Sequence, residues 1–138
     1  MSTSPTPTLH DLVAFMPHAV ALGITLQRAT PEEVQGSLDW APDRCTVSGM
    51  LHGGVLMSLA DTVGAVCAYL NLPEGANTST LESKTNFFRA VRGGTVHAVS
   101  RPLHLGRSFI AVQTDLTDGQ GKRVGQTTQT QAVLRPGP

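Results

Sequence analysis

The sequence predicts an α+β fold in which an antiparallel sheet wraps around one long central helix. Three observations predict it. One segment, His52 to Leu70, carries a long run of apolar residues at helical spacing. Two strand-like stretches precede it and four follow it. The breaks between the last four are short, so neighbouring strands are expected to be antiparallel. The 138 residues suit one domain, expected over 19–135 behind a flexible tail and short helix at 1–18.

In chain order, Met1 to Thr8 is rich in Ser, Thr and Pro and reads as a loose tail, not a signal peptide. A short amphipathic helix is expected from about Leu9 to Met16, capped by Thr8 with Asp11 as its acidic partner and stopped by Pro17. Leu22 to Arg28 alternates apolar and polar residues as a strand does, and Val34 to Trp40 is a second, weaker strand. Ala41 to Leu51, with Pro42 and Gly49, is a loop. The helix from His52 to Leu70 is apolar on most sides, which is the pattern of a helix surrounded by protein. Pro73 and Gly75 end it. The remaining strands are expected at Thr78–Phe88, Thr95–Leu105, Ser108–Thr117 and Arg123–Leu134, broken by Arg92-Gly93-Gly94, Gly106-Arg107 and Asp118 to Gly121.

Composition narrows the function. Lys plus Arg and Asp plus Glu both count 10, which argues against a general nucleic-acid binder. No stretch approaches the roughly 18 apolar residues that span a bilayer, so the expected location is the cytoplasm, with no membrane partner. Cys45 and Cys67 form neither a CxxC motif nor a Cys/His cluster, so no metal site is expected.

The chemistry concentrates at the central helix. His52-Gly53-Gly54 stands at its start, where the first amides lack internal partners and sit at the positive end of the macrodipole. Glycine there lets a ligand oxygen approach the backbone, a workable oxyanion hole. The plainer alternative is that the glycines only permit close packing. Asp61 interrupts the apolar helix in its middle, where a carboxylate is costly unless paired or used. The plainer alternative is an exposed stripe shared with Ser58 and Thr62. His52 could be an acid or base, although a histidine there more often fixes the helix start. His97 and His104 read as surface residues. Ser48, Ser58 and Ser79 have no nucleophile elbow or triad.

The run from His52 to Asp61, HGGVLMSLAD, resembles the signature of hotdog-fold thioesterases. Within them it is similar to the branch of phenylacetic-acid-degradation thioesterases and the Arthrobacter-type 4-hydroxybenzoyl-CoA thioesterase. Downstream, Thr80 to Gly94 looks like the family strand that ends in a corner and a glycine turn, and Leu105-Gly106-Arg107-Ser108 matches the family's turn. The resemblance covers about Ala19 to Leu134. It departs where the family often has Asn or Gln six residues before the His, here Thr46, and where the usual proline is replaced by Ala90 or Val91.

The resemblance implies hydrolysis of an acyl-CoA thioester. It makes Asp61 nucleophile or general base and the Gly53 amide the oxyanion donor, with His52 and Thr46 beside them. Gly54, Ser79, Thr80, Arg89, Arg107 and Ser108 become substrate-binding candidates, the arginines because guanidinium pairs well with phosphate. No cofactor is implied, since coenzyme A belongs to the substrate. Gly53 and Asp61 are about 12 Å apart along one helix, at about 1.5 Å per residue, so one thioester carbonyl cannot touch both from a single chain. The family builds its sites across a dimer interface, and a homodimer is the least assembly implied, with a dimer of dimers common. Two alternatives are a non-catalytic acyl-CoA binder and a hotdog hydratase. The hydratase would need an Asp-x-Asn-Pro-x-His-type segment or a catalytic His with a carboxylate, and neither pattern is present. A binder would have no need of Asp61 inside the helix. A ligand-sensing regulator would need an output module, for which the preceding residues are expected to be too few.

Overall fold

A computed structural model describes residues 6–137. Residues 1–5 of the expected tail lie outside the described residues. The elements are α1 (Leu9–Ala14), α2 (Pro17–Leu22), β1 (Thr25–Ala29), β2 (Val34–Asp39), α3 (Gly53–Tyr69), β3 (Asn77–Phe87), β4 (Thr95–Leu105), β5 (Phe109–Thr117) and β6 (Arg123–Leu134). Two short 3₁₀ turns, Pro42–Arg44 and Val47–Gly49, lie in the expected loop.

The six strands form one sheet in the order β1-β2-β4-β5-β6-β3, antiparallel throughout. It curls around α3, whose Leu59, Ala60, Val63, Cys67 and Ala68 are fully buried. Burying each large apolar side chain is worth about 1.5–3 kcal/mol, so this helix anchors the core. Gly36 on β2 makes the close approach possible, because a Cβ there would lie 2.6 Å from Val63 Cγ2. No helix among the described residues is long and apolar enough to cross a membrane.

Two sequence expectations need correction. Pro17 does not simply stop the first helix: it opens α2, and Gly23 closes that helix in the left-handed conformation at φ 73°. Proline suits the first turn of a helix as well as the position after one, and only the fold decides between them. Leu22 is therefore helical and the strand begins at Thr25. Second, β3 and β4 are consecutive but not paired. β3 lies at the sheet edge beside β6, and residues 88–94 cross the mouth of the sheet to reach β4 next to β2. On the way Val91 C=O accepts from Leu51 N–H at 2.9 Å and Gly94 C=O from Trp40 N–H at 2.8 Å, which ties this crossing to the start of α3. The capping box is as expected, with Thr8 and Asp11 bonded reciprocally at 3.0 and 3.1 Å. α1 adds Leu12 and Val13 to the common core.

Candidate active site

The start of α3 is built by His52. Its backbone is extended (φ −62°, ψ 135°), and its Nδ1 accepts from the Gly54 N–H at 2.8 Å. That bond caps the helix and puts the ring proton on Nε2. The Val55 and Leu56 N–H groups both reach the His52 carbonyl. The Gly53 N–H is left with no acceptor among the described residues. A Cβ at Gly53 would stand 3.2 Å from Phe87 Cζ, so the ring at the end of β3 lies beside this glycine. A cavity of about 350 Å³ opens here, lined by Thr46, Met50, Gly53, Phe87, Phe88 and Arg89 among others.

Asp61 lies two turns further along. It is half-buried, and one oxygen, Oδ1, collects its hydrogen bonds: Thr80 Oγ1 at 2.8 Å and Gln129 Nε2 at 3.0 Å. Oδ2 has no hydrogen-bond partner among the described residues. Asp61 borders a depression of about 180 Å³ with Met57, Ser58 and Ser83. Ser83 Oγ is buried without a partner, while Ser58 Oγ lies 2.9 Å from His18 Nε2 on α2. One helical turn beyond Asp61, a separate apolar pocket of about 220 Å³ lies between α1, α3 and β3, with Leu12, Phe15, Met16, Ala65, Tyr69 and Thr78 in its wall.

A β-bulge makes the Asp61 side possible. Thr80 pairs with Gln131, but the register shifts before Glu82 pairs with Thr130 and Ser83 with Gln129. The extra residue is Leu81, two-thirds exposed. Successive strand residues point to opposite faces, so Thr80 and Ser83 would diverge in a regular strand. The bulge turns both toward α3.

The structure brings Thr46, His52, Gly53, Gly54 and Arg89 together at one end of α3, and Asp61 with Thr80 at its middle. Ser79 faces away and is exposed. Arg107 and Ser108 sit in the β4–β5 turn, where Ser108 C=O accepts from Val133 N–H. That turn adjoins the Asn77 end of β3, whereas Arg89 follows its Phe87 end. The ten residue steps between those ends span about 33 Å, so the two arginines do not converge within one chain. Arg92 is committed to the Ser48 carbonyl at 2.7 Å. Burial pushes the Cys67 thiol up to about 11, which removes it as a nucleophile near neutral pH. Among the described residues no group of three or more His, Cys, Asp or Glu is placed to hold a metal ion. Sequence reasoning missed Gln129, Gln131 and Ser83. The signal was there for the glutamines: Arg123 to Leu134 contains Gln-Thr-Thr-Gln-Thr-Gln, so neither face of this interior strand is apolar.

Comparison with known proteins gives a consistent result. A match to the thioesterase superfamily spans residues 48–125. The proofreading thioesterase EntH of Cronobacter sakazakii is 36% identical over 86 residues, 62% of this chain. The 1,4-dihydroxy-2-naphthoyl-CoA hydrolase of Escherichia coli K12 is 35% identical over 86 residues, again 62% of this chain. The chain spans 63% of the length of each of these two relatives. The crystal structure of a thioesterase from Haemophilus influenzae aligns with a TM-score of 0.88 at 28% identity, covering 95% of this chain and 93% of that one.

Proposed function

The chain belongs to the thioesterase superfamily and has its hotdog fold, and from that premise we propose that it hydrolyses an acyl-CoA thioester to the free acid and coenzyme A. The observation that carries the reading is the state of Asp61. Its Oδ1 is held by two donors, and its Oδ2 is left free beside a depression that also receives the Ser83 hydroxyl. A carboxylate so placed either attacks the thioester carbonyl or takes a proton from a water that does. In both routes the carbonyl oxygen gains negative charge, the C–S bond breaks and the coenzyme A thiolate leaves. If Asp61 attacks, the resulting mixed anhydride is hydrolysed by water to the acid and free Asp61; if water attacks, the acid forms directly. In either case the thiolate takes its proton from that water.

The developing oxyanion needs a donor, and the unpartnered Gly53 N–H at the positive end of α3 suits it. Eight residues, about 12 Å, separate that amide from Asp61 on the same helix. The reading therefore joins Gly53 of one chain to Asp61 of a second, in a homodimer at least. The apolar pocket one turn beyond Asp61 suits the acyl group, and Arg89 or Arg107 suits the phosphates of coenzyme A.

The test is hydrolysis of hexanoyl-CoA, benzoyl-CoA and phenylacetyl-CoA, followed by release of free thiol. Asp61→Asn keeps the size and removes the charge, so turnover on the best of the three should fall by at least about 10²-fold, the low end for a positioned acid–base group. The Michaelis constant should change much less, because the lost interaction belongs to the transition state. A folded, oligomeric Asn variant within a few-fold of the unsubstituted protein would make Asp61 structural and sink this mechanism.

A further inference from the structure

Gln129 and Gln131 are each 1% exposed, among the largest fully buried side chains of the molecule. A buried carboxamide is costly unless its donors and acceptors are satisfied. The bonds these two make form a chain that ends at Asp61. One N–H of Gln129 Nε2 reaches Asp61 Oδ1 at 3.0 Å, and the other reaches Gln131 Oε1 at 2.9 Å. Gln131 Nε2 in turn reaches Thr78 Oγ1 at 3.1 Å. The Thr80 hydroxyl lies 2.8 Å from Asp61 Oδ1 and 2.6 Å from Gln131 Oε1, with one proton for two acceptors.

The order follows from the charge at its end. An ionised carboxylate only accepts, so Gln129 must turn its Nε2 toward it. The second N–H then needs an acceptor, which fixes Gln131 with its Oε1 inward and its Nε2 on Thr78. The cost of this orientation is visible: Gln129 Oε1 is buried without a partner. It rests against Gly64 of α3, where any Cβ would overlap it. An apolar side chain would fill the same space without leaving a polar atom unpaired. Packing alone therefore does not account for two glutamines here.

Building on the proposed hydrolysis, we propose that Gln129 and Gln131 are positioning residues. They form a donor relay that holds Oδ1 of Asp61 so that Oδ2 alone is presented to the substrate. Thr80 is the second donor of the same cradle, and its hydroxyl serves Asp61 and not the substrate.

The probe is whichever of hexanoyl-CoA, benzoyl-CoA and phenylacetyl-CoA the unsubstituted protein turns over fastest. Gln129→Met keeps the volume and removes the donor. Expected is a fall in kcat of about 10- to 100-fold, the worth of one hydrogen bond to a charged group. KM should change less than about threefold, and the melting temperature should stay level or rise, since an unpaired buried oxygen is removed. Gln131→Met should lower kcat less, being one bond further away. In the Asp61→Asn background Gln129→Met should cost nothing more, because groups acting through one another are not additive. Unchanged kcat in the Gln129 variant, with or without lost stability, overturns the relay; so does an added loss in the double variant. The two readings separate cleanly. Full activity of Asp61→Asn alone sinks the hydrolytic mechanism and the relay with it, while an inactive Asp61→Asn beside a fully active Gln129→Met sinks the relay only. Thr80 gives a second route should Gln129→Met fail to fold. Thr80→Val should lose activity and Thr80→Ser should regain it, and equal activity of those two overturns the proposal.

Discussion

Gly53 shows how much can depend on one backbone atom. As the first residue of α3 it has no intrahelical acceptor for its N–H, and His52 spends its ring nitrogen on Gly54 instead. Proline at this position removes only that donor. The first helical position favours proline, and the extended backbone of His52 is what a residue before proline adopts. The added carbons meet the Phe87 ring, which is about half exposed and free to give. Gly53→Pro should therefore stay folded yet lose about 10²- to 10³-fold in kcat, the usual cost of deleting one oxyanion donor. Gly53→Ala brings a Cβ to the same ring and keeps the N–H, so it measures the steric part separately. If the proline and alanine variants fall equally, the amide has no part in the reaction. These residues were legible because their signal is local: a helix start, two glycines and an acid at fixed spacing. Ser83 was not, since its place comes from a bulge at Leu81 that no local pattern announces. The polar run on β6 marked Gln129 and Gln131 as unusual, but only strand register across distant parts of the chain brings them to Asp61.

At the scale of elements, α3 was readable because its apolar residues recur at helical spacing over 17 residues. α2 was hidden because six residues carry too little periodicity, and its leading proline fits a stop as well as a start. The β3–β4 crossing was hidden because a short connection normally joins paired strands, and only closure of the sheet around α3 separates them. α3 also sets two local rules against each other at Gly64. Helix propensity favours alanine there by about 0.8–1 kcal/mol. The packing opposes it, because the new Cβ would overlap the end of the buried Gln129 side chain, which would have to move. Overpacking of this kind costs typically about 1–3 kcal/mol, so the steric effect should prevail. Gly64→Ala is expected to lower the melting temperature and, by displacing Gln129 from Asp61, to lower kcat as well. A variant that melts higher and turns over normally would mean that Gln129 has another place to go and that its contact with Asp61 is dispensable.

At the scale of the molecule, two features of a single chain are incomplete. β3 is an 11-residue strand at the sheet edge, paired on one side only, and its side chains are mostly exposed or half-exposed. A long unprotected edge is a template for pairing with another strand. The two halves of the candidate site likewise open in different places, one at Gly53 and one at Asp61. Joining two chains would answer both at once, because a twofold assembly repeats each contact and so makes two equivalent sites. The consequence can be tested by complementation. A chain carrying Gly53→Pro lacks the donor, and a chain carrying Asp61→Asn lacks the carboxylate. Each alone should be nearly inactive. Co-refolded, they should form mixed dimers in which one site holds both substitutions and the other holds neither, so up to half the sites of each mixed dimer regain full turnover. Sites confined to single chains would give no recovery, since every chain would still carry one defect. Mixing should also leave the assembly size unchanged by light scattering, at twice the 14.5 kDa chain mass or a multiple of it. Absence of recovery from demonstrably mixed dimers would place the Gly53 amide and Asp61 in separate functions.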